Sequence, residues 1–216
     1  STSSRGLGDV YKRQVQARCQ ISPDADGHVD YPYSTVNAGA FYGCTALKSI
    51  TLPAFVTIIH DTSYSSGYQG AFASCTSLTS VTFAPGSMLT SIGTSAFDGC
   101  SSLATLEFPP HLMSLGERAF RGCSSLPSLA VPMSVTTIGT YAFSGCSSVT
   151  SVTFAPGSML TSIASYAFDG CSSLATIEFP PHLTSLGERA FQACSSLTSL
   201  AVPMSVTTIG TYAFSG

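Results

Sequence analysis

Apolar residues recur along this chain in a fixed order. One unit, Cys100 to Gly122, reads C-S-S-L-A-T-L-E-F-P-P-H-L-M-S-L-G-E-R-A-F-R-G. Leu106 and Phe108 alternate with Thr105 and Glu107, the period of two expected of a strand with one buried face. Pro109 and Pro110 end that strand, because proline lacks the ladder N–H and turns the chain. Leu112 and Leu115 predict a second extended segment, Gly116 a tight bend, and Ala119-Phe120 a buried corner before the next cysteine. A single coil of this kind has no interior. Stacked coils make one, worth roughly 1.5–3 kcal/mol for each large apolar side chain covered. Stacking also aligns the strands into a parallel sheet at about 4.8 Å spacing, roughly 35 Å long for seven strand segments.

The cysteines mark the repeat. They stand at Cys19, Cys44, Cys75, Cys100, Cys123, Cys146, Cys171 and Cys194, with steps of 25, 31, 25, 23, 23, 25 and 23 residues. A longer period lies on top: Thr76 to Gly145 aligns without gaps to Ser147 to Gly216, and only ten of the 70 positions differ. Block duplication accounts for such identity, so residues that recur in both copies carry no functional weight by recurring. The 31-residue step is expanded in TIIHDTSYSSGYQG, Thr57 to Gly70, which predicts a Ser-, Gly- and Tyr-rich surface loop. The two extra residues in FAPGSMLTSIG lengthen a turn. The next 23-residue step would fall one position past Gly216, so the chain is expected to stop inside a coil. That would leave an open apolar face and a free strand edge, and hence self-association.

Seven copies carry a common signature. They include AFYGCTALKSITLP (Ala40 to Pro53), AFDGCSSLATLEFP (Ala96 to Pro109), AFRGCSSLPSLAVPMSVTTIG (Ala119 to Gly139) and AFDGCSSLATIEFP (Ala167 to Pro180). These units resemble the BspA-type leucine-rich repeats over about Gly27 to Gly216. The resemblance implies a repeat solenoid of the leucine-rich-repeat class, with a parallel β-sheet on one face, short extended or turn segments on the other, and little α-helix. It also implies a protein-binding or adhesion role at a cell surface or in a secreted protein. The front of the chain departs from the pattern. Residues 15–43 lack the L-x-x-L start and are read as an N-terminal capping repeat ahead of a solenoid over 44–216, truncated at its C-terminus. Residues 1–14 show no repeat at all, and read as adapter-derived sequence or a disordered leader.

Composition narrows the partners. Hydrophobic residues are 44%, charged residues 9% and net charge −3, with no basic run to neutralise phosphates, so nucleic acid is not an expected partner. No stretch approaches the roughly 18 apolar residues of a membrane span. The cysteines occupy one position per coil, with parallel Cα–Cβ vectors, whereas a disulfide needs converging Cβ atoms. A buried ladder of free thiols is therefore expected, with Cys19 as the exception. No C-x-x-C or His/Cys cluster suggests zinc. Asp24, Asp26 and Asp30 around Gly27 lack the full pattern of a calcium loop and read as a turn. His111 and His182 fall in Pro-Pro-His turns. Glu117-Arg118 and Glu188-Arg189 read as solvated bends. No acid, base and nucleophile come together in the sequence, and no cofactor is expected.

The candidate binding surface is the outward strand face together with the long loop. On the face it comprises Lys48, Thr51, Thr79, Thr82, Thr105, Glu107, Thr150, Thr153, Thr176 and Glu178; in the loop, Tyr64 and Tyr68, a binding composition of aromatic anchors among Ser and Gly. The expected function is a non-enzymatic module for a protein or surface-glycan ligand. The alternative is a structural coat or spacer protein. Its ice-contacting variant is opposed by Glu107, Pro127, Ala130 and Glu178, which interrupt the threonine ranks.

Overall fold

The structure, a computed structural model, describes residues 19–60 and 70–216. The chain winds into about eight turns without a helix among the described residues. The first turn carries β1 (His28–Asp30). Five following turns carry two strands each: β2 (Ser49–Leu52) and β3 (Ile58–Ile59), β4 (Ser80–Phe83) and β5 (Ser91–Ile92), β6 (Thr105–Leu106) and β7 (Ser114–Leu115), β8 (Ser128–Val131) and β9 (Thr137–Ile138), β10 (Ser151–Phe154) and β11 (Ser162–Ile163). Then come β12 (Thr176–Ile177) and β13 (Ser185–Leu186), and lastly β14 (Thr208–Ile209). Every pairing is parallel and in coil register, as with Val152 opposite Leu129 and Ile163 opposite Ile138.

Leu and Ile at the strand positions, Ala-Phe at the corner and Cys after it all point inward and form one core cluster. The corner phenylalanines make a continuous stack from Phe41 through Phe72, Phe97, Phe120, Phe143, Phe168 and Phe191 to Phe214. Ring centroids lie 4.8–5.5 Å apart and the planes are within 13° of parallel. The coil rise sets this face-to-face geometry, since each ring is anchored to a backbone one strand spacing from the next. The corner needs left-handed backbone immediately before Ala-Phe. Ser95, Arg118, Tyr141, Tyr166, Arg189 and Tyr212 all adopt φ of 53–58° there, a conformation that L side chains rarely take. Gly116 acts differently from the bend expected of it. A Cβ at Gly116 would sit 2.7 Å from backbone atoms of Gly93 and Thr94, so glycine lets adjacent coils approach.

Four expectations are corrected. First, the seven strand segments do not form one sheet. Six of them divide into β2-β4-β6, which β1 of the first turn extends, and β8-β10-β12, and the last, Thr198 to Val202 in the eighth turn, forms no strand. Pro127 contributes to the break. At the equivalent position Thr79, Ala104, Thr150 and Ala175 each donate N–H to the preceding coil, and proline has none to donate. The break recurs before Thr198, so the preceding Glu-Phe-Pro-Pro coil is the common cause. In both copies that coil forms only a two-residue strand. Second, the shorter extended segments form the longest sheet, the unbroken ladder β3-β5-β7-β9-β11-β13-β14. Third, Ile58–Ile59 at the start of the expanded segment is strand, not loop; residues 61–69 lie outside the described part.

Fourth, Cys19 and Cys44 form a disulfide, with Cα atoms 5.3 Å apart. The parallel-vector argument fails for this pair because Cys19 is out of register. His28 lies opposite Ser49, five residues after Cys44, so the ladder position in the first coil falls five residues before His28, at Pro23. Cys19 reaches Cys44 from elsewhere, and its side chain can converge. The other six cysteines are the expected free, buried thiols.

Candidate binding surface

The strand periodicity places the candidate residues on the outside of the split sheet. Lys48, Thr79, Thr82, Thr105, Glu107, Thr150, Thr153, Thr176 and Glu178 are exposed and Thr51 is half-buried. Not all are free to meet a ligand. Thr79 Oγ1 donates to Lys48 O at 2.9 Å and Thr150 Oγ1 to Pro127 O at 3.1 Å, stitching one coil to the one before. Thr153 Oγ1 makes a longer bond of this kind to Leu129 O, 3.4 Å. Tyr64 and Tyr68 lie outside the described residues.

The structure gathers Thr82, Thr105 and Glu107 in one place. Coils beginning at Cys75 and Cys146 have 25 residues and those beginning at Cys100 and Cys123 have 23. The extra pair lies in the turn between the two strands. Ala84-Pro85-Gly86-Ser87 closes with Ser87 N–H donating to Ala84 O, with Gly86 at φ 75°, as a type II turn requires. Ala155-Pro156-Gly157-Ser158 repeats it. The two shorter coils between these turns are recessed. Cavities of about 390, 490 and 520 Å³ lie there side by side, and all three are lined by Phe108.

A second surface feature was not legible as such in the sequence. The residues before Ala-Phe form a half-buried ladder that becomes exposed at Tyr212: Arg118 lies over Tyr141, Tyr141 stacks on Tyr166 at 4.6 Å, and Arg189 packs against both Tyr166 and Tyr212. Arg189 Nη1 also donates to the Tyr166 hydroxyl at 2.6 Å. Arg118 and Arg189 are thus held against rings, beyond the solvated bends expected of Glu117-Arg118 and Glu188-Arg189. The signal was present one position before each Ala-Phe. It was hidden because those residues lie outside any strand period.

Reactive chemistry finds little support. His28 Nδ1 hydrogen-bonds Ser49 Oγ at 2.7 Å, and His28 Nε2 lies 3.3 Å from Asp30 Oδ1, a Ser–His–Asp sequence of contacts. Yet the Asp30 side chain is 87% exposed, and the Ser49 N–H is spent on Gly27 O. A nucleophile's own amide is the usual first donor to an oxyanion, and here it is occupied. Asp24 Oδ1 accepts from the N–H groups of Asp26 and His28, which hold its carboxyl below the usual range and define the turn. Among the described residues no three His, Cys, Asp or Glu side chains group as a metal site. There too, no helix is long and apolar enough to cross a membrane.

Comparison with known proteins agrees with this architecture. A family model described as BspA type leucine rich repeat region, in six copies, matches residues 28–67, 66–159 and 156–216. The crystal structure of a T. pallidum leucine-rich repeat protein is 32% identical, covering 80% of this chain and 78% of its own, with a TM-score of 0.68. A leucine-rich cell surface protein from Faecalibacterium prausnitzii is 28% identical over 86% of this chain and 48% of its own, with a TM-score of 0.67. A leucine-rich repeat protein from Bacteroides ovatus is 25% identical over 85% and 53%, with a TM-score of 0.58. The chain spans about half the length of the last two. No curated protein sequence matches it.

Proposed function

We propose that this chain, which belongs to the BspA-type leucine-rich repeat family, is a non-enzymatic binding module that engages a protein or surface glycan. The contact surface is the outward face of the split sheet, to which Tyr64 and Tyr68 of the expanded segment are added on their composition alone. The observation that carries this reading is the grouping of Thr82, Thr105 and Glu107 around adjoining cavities on that face. Repeat solenoids recognise partners through such extended surfaces rather than through one enclosed pocket. A cell-surface or secreted setting fits the Cys19–Cys44 disulfide, since such bonds persist in oxidising compartments, and one structural neighbour is described as a cell surface protein.

A rigid spacer is the second reading, favoured by the unbroken seven-stranded ladder and the phenylalanine stack. Presenting the chain to a displayed peptide library and to a glycan array separates the two. A binding module retains specific ligands, and Lys48→Glu with Thr82→Arg, or removal of residues 62–69, weakens them by about tenfold, the equivalent of about 1.4 kcal/mol. Ligands that bind every such variant equally well would exclude the face and the loop as the contact surface.

A further inference from the structure

We infer that the recess between the two long turns is a docking groove for an extended peptide segment carrying a lysine or arginine within a run of proline or other apolar residues. This rests on the binding-module reading and names its partner. The walls are the Ala84–Ser87 and Ala155–Ser158 turns, three coil steps apart, or about 14 Å at a strand spacing of about 4.8 Å. That width admits one extended chain with its side chains.

The floor comes from the two shorter coils. Phe108 and Pro110 lie on one side, Ala130 and Met133 on the other, and the cavities between them reach Pro85 and Pro156 at the walls. Phe108 cannot turn away to close the recess. Its ring meets Phe120 and Phe143 edge-on, with centroids 5.5 and 6.4 Å away. Hydrogen bonding between the two floor coils also stops here. Ser124 and Ser125 bond to Ser101 O before the groove, and Ser134 bonds to Pro110 O and Leu112 O after it. Between these points β6 and β8 do not pair, so strand edges face the groove and offer backbone partners to an extended chain.

Charge selects the occupant. Of all residues lining the three cavities, Glu107 alone is charged. One carboxylate set beside phenylalanine and proline recognises one cation set among apolar side chains. Aromatic and proline-lined grooves of this composition suit extended, proline-containing peptides, which lose little entropy on docking. Hydroxyls of Thr82, Thr105, Ser128 and Thr153 also line the cavities, but the floor residues Phe108, Pro110, Ala130 and Met133 present apolar surface that favours a peptide, and a glycan is an outcome that the test distinguishes.

The test is selection of short random peptides on the intact chain, followed by fluorescence-polarisation titration of the synthesised winners. Enrichment of lysine or arginine beside proline or apolar residues is expected. Glu107→Lys should then weaken binding by about tenfold or more, Glu107→Asp much less, and replacement of the peptide's cation by glutamate should mimic Glu107→Lys. Ala130→Trp, which fills the floor, should weaken binding to a similar degree, and Asp26→Lys on the first coil should leave it unchanged. Equal thermal midpoints for all variants establish that folding is intact. The inference is overturned by winners without a basic bias, by unchanged affinity in Glu107→Lys, by retention of glycans alone, or by no winners at all. Winners that survive Glu107→Lys and Ala130→Trp but are lost with Lys48→Glu and Thr176→Arg would overturn the groove while leaving the wider binding face standing.

Discussion

Each thiol from Cys75 to Cys194 points at the carbonyl of the corner phenylalanine one coil back, with Sγ–O distances of 2.9–3.2 Å. The S–H donates to a carbonyl that already accepts the backbone N–H of the cysteine in its own coil, as Phe72 O accepts from Cys75, and so fills that oxygen's second acceptor site. Burial raises the pKa of all six, and Cys75, Cys146 and Cys194 are pushed from an ordinary 9.0 up to about 12. The folded state therefore holds protons that the unfolded state releases first. Stability from this source is complete below about pH 9 and falls as pH rises toward 12, because ionisation pulls the equilibrium to the unfolded chain. The urea midpoint should be level from pH 6 to 8 and decline steadily above about pH 9. A midpoint unchanged at pH 10.5 would mean that the thiols are not buried as described.

Among the elements, the contrast between the two sheets predicts a gradient of local stability. The β3 to β14 ladder is unbroken, and inner strands such as β7 and β9 pair on both sides. On the other face β6 and β8 are each left with an unpaired edge. Local openings take place where hydrogen bonding is incomplete. Amide exchange by NMR should thus be slower at Leu115 and Ile138 than at Leu106 and Leu129. The opposite order would show that the split face is held closed by other means. The same elements show what sequence pattern can and cannot supply. Alternation at Leu106 and Phe108 predicted a strand there, but β6 ends at Leu106 and leaves Glu107 and Phe108 outside it, ahead of Pro109-Pro110. Pairing with the next coil depends on two backbones meeting in space, which no single coil's pattern encodes.

For the whole molecule, the last coil presents exposed Val202, Met204, Ile209 and Phe214, and β14 pairs only with β13. This apolar surface and strand edge are suited to pairing with a further coil or with a second copy. In a preparation limited to these 216 residues, light scattering should give a mass that rises with concentration and falls when Ile209 and Phe214 are changed to lysine. A constant monomer mass at high concentration would contradict it.

The repeat, the direction of the core side chains and the buried free thiols were determined by the sequence alone. In a solenoid each inward position meets its own counterpart one coil away, so a one-dimensional period already specifies the contacts. The outward candidates from Lys48 to Glu178 followed from the same period. Tertiary structure decided what periodicity does not carry. Cys19 met Cys44 because it stands out of register. The arginine–tyrosine ladder arose from left-handed turns outside the strands. The groove arose where two short coils lie between two long ones, a difference of two residues per turn that acquires shape only when coils stack.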